Sequence, residues 1–130
     1  MYVSDRGNKR VQVFTPDGKF VAEQFVGLDS RDGLQARSTA FSHDSGQNFL
    51  YVAGTPVVFI LNRRTLEVLG SIKTGEAQEH PPGHQMAADH KGNIYVVQAE
   101  LTGPDGKSGG TGAQRFLFKG YAPRTRTSTN

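Results

Sequence analysis

Residues 2–20 read YVSDRGNKRVQVFTPDGKF, and the fold is decided on this stretch. A Tyr-Val pair opens a strand, and an Asp-x-Gly-Asn turn follows. Residues 10–14 (RVQVF) then alternate, which places Val11 and Val13 on one face of a second strand. Pro16-Asp17-Gly18 supplies turn chemistry before a third strand, FVAEQFV at 20–26. Asp5 and Arg10 flank the first turn, where a carboxylate accepts bonds from turn amides or pairs with the guanidinium. Gly7 and Asn8 tolerate the positive φ that hairpin turns often require.

Further along, STAFS (38–42) and FLYVA (49–53) flank the turn HDSGQN. VVFIL at 57–61 is a short, continuous apolar run, as expected for a strand covered on both faces. The turn NRRT leads into LEVLGSI at 66–72. A third cycle begins at His84: HQMAA, the turn DHKGN at 89–93, and IYVVQ at 94–98. In that turn Asp89, Gly92 and Asn93 have the same chemistry as the first. A glycine-rich tract, TGPDGKSGGTG, spans 102–112, and RFLF at 115–118 resumes the strand pattern. The polar tail, residues 122–130, is expected to be disordered.

Composition narrows the class. The 130 residues hold sixteen glycines and six prolines, which interrupt most windows long enough for an amphipathic helix. No run approaches the roughly 18 apolar residues of a membrane span. The opening MYVSDRGNKR has no apolar segment of the kind a signal peptide carries. With no cysteine there is no disulfide framework and no thiolate chemistry. The net charge of +3 is small and partly local to the tail. Arg63-Arg64 and Lys9-Arg10 are only pairs, so a nucleic-acid face is disfavoured.

Tyr2-Val3, Tyr51-Val52 and Tyr95-Val96 restart the pattern at spacings of about 49 and 44 residues. A period of that size in a β-rich chain points to propeller blades. With strands labelled A to D from channel to rim, the chain reads B-C-D, A-B-C-D, A-B-C. The expected fold is therefore all-β: a partial propeller of about ten antiparallel strands, in one full and two incomplete four-stranded blades. The blade remnants fall at about 1–27, 38–75 and 84–121.

The motifs resemble the NHL repeat. YVSDRGNKRVQVFTPDGKF is similar to its strand, Asp-x-Gly-Asn-x-Arg-Val, strand, Asp-Gly-Lys form. HQMAADHKGNIYV is similar to its opening strand, and FSHDSGQNFLYVAGT to a more divergent blade. The resemblance covers about residues 1–121 and implies a six-bladed propeller. It makes the chain the C-terminal part of a longer protein, with Met1 internal. It also implies export in bacteria, to the periplasm or beyond the cell. Open blade faces and edges would favour self-association.

The same resemblance frames the chemistry. The implied role is a binding module that takes a small molecule, peptide or protein at the channel mouth. An alternative is a metal-dependent lyase or hydrolase, similar to the peptidyl-α-hydroxyglycine amidating lyase or to lactonase-type propellers. There His84, at the entry to an inner strand, would be one ligand of a zinc ion that needs about three. Gln98 and Glu100 would bind ligand, and either would serve a lactonase-type divalent cation such as calcium; separately, Glu100 and Asp105 are two carboxylates of one loop that would suit a cation. A second alternative is RNA binding on a basic face. Asp5, Gly7, Asn8, Arg10, Asp89, Gly92 and Asn93 read as structural. There is no Gly-x-Ser-x-Gly elbow, and Gly103–Gly112 lacks the ending of a phosphate loop.

Overall fold

The computed structural model describes residues 1–28, 36–54, 57–74, 84–98 and 112–120. These residues form ten strands and no helix. The strands are β1 (Tyr2–Asp5), β2 (Arg10–Phe14), β3 (Phe20–Phe25), β4 (Ser38–Phe41) and β5 (Phe49–Ala53), followed by β6 (Val57–Asn62), β7 (Val68–Lys73), β8 (Gln85–Ala88), β9 (Ile94–Gln98) and β10 (Gly112–Phe116). They make three antiparallel sheets of three, four and three strands, in the orders β1-β2-β3, β4-β5-β6-β7 and β10-β9-β8. We call these the first, second and third sheets.

The second sheet lies between the other two. Along β5 and β6 successive side chains point to opposite faces. Leu50, Val52 and Leu61 join Val11, Val26 and Leu66 in a core against the first sheet. Tyr51, Ala53 and Val58 join Ile94 and Val96 in a core against the third. The continuous apolar run at 57–61 follows from this, since both faces of β6 pack against a neighbouring sheet. Val11 is fully buried, and Val13 packs against the same core half-covered.

The recurring Tyr-Val pairs occupy equivalent places. Tyr2 pairs with Val13, Tyr51 with Ile60, and Tyr95 with Arg115. Tyr2 packs onto the second sheet, with its ring 5.0 Å from that of Phe41 in an edge-on contact. Tyr51 packs onto the third sheet and is 7% exposed. The valines face the other way: Val52 toward the first sheet and Val96 toward the second, both at 0% exposure. Val3 holds the same position in the first sheet and is 42% exposed, because no described sheet lies against it. By the same alternation Tyr95 points to the uncovered face of the third sheet, where it is half-buried.

Three local expectations are corrected. In the first turn the positive φ falls on Lys9 (54°), not on Gly7 or Asn8. The loop spans residues 6–9, closed by the Lys9 N–H on the Arg6 carbonyl, and its last residue must reverse the chain into β2. Leu66 does not begin a strand. It sits at φ 61° in the turn after β6, buried in the first core, and β7 starts two residues later. β10 runs from Gly112 to Phe116 and not over 115–118, because Ile94 at the start of β9 pairs with Phe116. Most of the glycine-rich tract and the tail from Tyr121 lie outside the described residues. No described helix is long and apolar enough to cross a membrane.

Candidate functional site

The motif residues form two kinds of turn clamp. In the first, the Asn8 amide donates to both Asp5 oxygens at 3.0 and 2.9 Å, and Arg10 Nε donates to Asp5 Oδ2 at 2.8 Å. These two partners hold the Asp5 carboxyl below its ordinary range. Arg10 Nη1 also reaches Glu23 Oε2 at 2.9 Å, so one guanidinium ties β1, β2 and β3 together. This network lies on the open face of the first sheet.

The second clamp centres on Asp89. Its Oδ1 accepts the Asn93 and Lys91 N–H groups at 2.9 Å, and its Oδ2 accepts the Asn93 amide at 2.8 Å and the Tyr95 hydroxyl at 3.0 Å. Partial desolvation pushes this carboxyl up. The Asn93, Tyr95 and Lys91 donors outweigh it and bring the pKa from 3.8 to about 2. Gly92 closes the turn at φ +83°, and a Cβ there would stand 3.0 Å from the Phe118 ring. Asp44 and Asn48 repeat the clamp in the second cycle, with the Asn48 amide on Asp44 Oδ2 at 2.6 Å and its N–H on Oδ1 at 3.1 Å.

The depressed pKa has a consequence for acid stability. Asp89 contributes stability above its unfolded value of 3.8, and this is lost as pH falls through about 2. Asp89→Asn is therefore expected to lower the melting temperature at neutral pH. It should also flatten its decline between about pH 4 and pH 2, as followed by circular dichroism.

The expected ligand residues are brought together only in part. β8 and β9 pair Gln85 with Val97, so the register carried one step sets His84 opposite Gln98, which itself pairs with Gly112. His84 and Gln98 thus share one end of the third sheet. His84 is exposed. Glu100 and Asp105 lie outside the described residues. Among the described residues no three His, Cys, Asp or Glu side chains group as a metal site. The described residues therefore do not fit a zinc ion with three protein ligands.

The stack presents two ends between the first and second sheets. Tyr2, at the start of β1, touches Phe41, at the end of β4, which fixes how the two sheets run. One end carries the turns 15–19, 42–48 and 62–67. A polar groove of about 460 Å³ opens there, lined by Tyr2, Gln47, Asn48, Asn62, Arg63 and Arg64. Arg63 is engaged in the fold: its guanidinium lies 5.2 Å from the Phe41 ring centre and donates to Gln47 at 3.3 Å.

The other end carries the turn 6–9 and the connection into β4, and sequence reasoning passed over it. Arg37 stands there, one residue before β4, with its N–H bonded to the Ala53 carbonyl at 2.8 Å. Its guanidinium Nε is buried with no hydrogen-bond partner among the described residues, as are the hydroxyls of Ser4 and Ser38. Burial, and then the charge of Arg6, makes the Arg37 cation less favourable than usual. An arginine just before β4 was legible in the sequence, but nothing there marked its Nε as buried without an acceptor among the described residues.

No family model matches the chain, and no curated protein matches it either.

Proposed function

We propose that this chain is part of an NHL-type β-propeller that works as a binding module. A small molecule or peptide is taken at the end of the stack that holds Arg37. The observation that carries this reading is the phase of the repeat. Tyr2, Tyr51 and Tyr95 sit at equivalent registers, and the tyrosine faces of the first two sheets each turn toward the next sheet. Stacking sheets in that phase is how propeller blades bury their faces. If the repeat runs on through the third sheet, His84 and Gln98 come to the same end as Arg37. The polar groups left without partners there suit binding, and no described cluster favours the metal-enzyme reading.

Amide hydrogen exchange tests this, with inorganic phosphate, succinate and an end-blocked neutral tripeptide as probes. Protection by at least one probe is expected at residues 4–9, 36–38, 84–85 and 97–98. Protection confined to 15–19, 43–48 and 62–65 would move the site to the opposite end. Protection by none of them at millimolar concentration would remove this reading.

A further inference from the structure

The two inner seams of the stack share one pattern, and the two outer faces carry its halves. In each seam the tyrosine face of one sheet meets the valine face of the next. Tyr2 packs on the core that holds Val52, and Tyr51 lies in the core that holds Val96. The neighbouring registers repeat as well. Ala40 pairs with Tyr51 on the tyrosine face of the second sheet, and Ala87 pairs with Tyr95 on that of the third. One residue beyond each tyrosine's partner on the following strand come Phe14, Leu61 and Phe116. Leu61 and Phe116 both pack across a seam. Phe14 and Val3 hold the matching places on the open face of the first sheet.

No described sheet lies against either outer face. On the first sheet Val3, Phe20 and Phe25 are exposed. Phe20 pairs with Phe14 and Phe25 with Arg10, which sets these side chains on the same face as Val3. The Phe14 and Phe20 rings meet edge-on at 5.9 Å. Apolar side chains grouped in this way, unlike scattered ones, mark an interaction surface. The third sheet offers the smoother counterpart, with exposed Ala87 and Ala113 beside half-buried Tyr95 and Val97. Ala40 and Ala53 give the same relief in the inner seam, against Ile94 and Phe116. The charges match too. Within β1 to β3 the open face carries Asp5, Glu23 and Arg10, a balance of one negative charge. Within β8 to β10 the open face carries Arg115 as its only charged residue, and Arg115 is exposed.

We propose that a second copy of this chain docks head to tail, with the tyrosine face of its third sheet on the valine face of the first sheet. The contact continues the stack in the phase of the inner seams. It joins two different faces, so it is heterologous and leads to a closed ring or to a longer array. Both faces are part polar, so the contact is weak and opens on dilution, which exposes Val3 as in the single chain. The inference goes beyond ligand binding and shares with that reading only the in-phase stack.

Sedimentation velocity of the 130-residue protein between about 5 and 500 µM tests it. The mean mass is expected to rise above 14.1 kDa with concentration. Arg115→Glu sets a negative charge against the negative face, and Val3→Lys sets a positive charge against Arg115. Each should weaken association at least about tenfold. An equimolar mixture of the two variants should associate again, because the unaltered third sheet of one meets the unaltered first sheet of the other. Circular dichroism verifies that each variant is folded. If Val3→Lys does not fold, Phe20→Lys carries the same expectation. A mass of 14.1 kDa throughout overturns the proposal, as does undiminished association of either variant alone or a mixture that stays apart. A lasting monomer that a ligand probe still protects would sink the second copy and leave the binding module standing.

Discussion

Val52→Asp is expected to destabilise the protein by at least about 4 kcal/mol, while Val3→Asp costs about 1 kcal/mol or less. The two valines occupy the same place in successive repeats, each following the tyrosine that faces the next sheet. Val52 is fully buried against the first sheet, whereas Val3 is 42% exposed. A carboxylate at Val52 would enter an apolar core and lose its hydration without compensation. Domains of this size have a total stability of about 5–15 kcal/mol, so the Val52 variant would lose a large share of it. Urea denaturation followed by circular dichroism measures both. Equal losses would mean that the open face of the first sheet is covered in solution by another surface.

Leu61→Ala follows, with an expected loss of about 2–5 kcal/mol. Leu61 is among the largest fully buried side chains, pairs with Leu50 across the sheet, and lies in the core with Val11, Val52 and Leu66. Truncation removes apolar contact and leaves a cavity between two sheets, each held by its own hydrogen bonds, so the site closes poorly. Leu69→Ala is the natural comparison. Leu69 sits on β7, is 49% exposed, and should change stability by no more than about 0.5 kcal/mol. A midpoint for Leu61→Ala close to that of Leu69→Ala would mean that the core between the first two sheets is not packed as described.

Much of the fold was legible because the signals were local. Alternation in RVQVF, the unbroken run VVFIL and the turn residues at 16–18 and 89–93 each specify structure within a few residues. The 3-4-3 division into sheets followed from the Tyr-Val spacing. Strand ends were less legible. Leu66 reads as the first residue of a strand, yet tertiary burial draws it into the turn at positive φ. Gly112 reads as loop, yet pairing with Gln98 draws it into β10. The Asp44–Asn48 clamp could have been found, since Asp-x-x-x-Asn recurs at 44–48 and 89–93. A one-residue difference between that turn and the following Tyr-Val pair obscured it.

The candidate site was less legible than the fold. His84 and Gln98 were singled out separately, and only the β8–β9 register sets them opposite each other. Arg37 gave no signal. An arginine before a strand is ordinary in a sequence, and its significance depends on what lies across the seam. That Asp5 is held on the open face of the first sheet by Asn8 and Arg10 emerges only from the folded turn.

Proton nuclear Overhauser spectroscopy of the 14.1 kDa protein tests the in-phase stack most directly. Cross-peaks are expected between the Tyr2 and Phe41 rings, and between the Tyr51 ring and the methyls of Ile94 and Val96. Each of these contacts joins two different sheets. If all appear, the three sheets are stacked with their tyrosine faces in phase. If the pairings within each sheet are present and these contacts are missing, the stack is wrong, and the propeller reading fails with it.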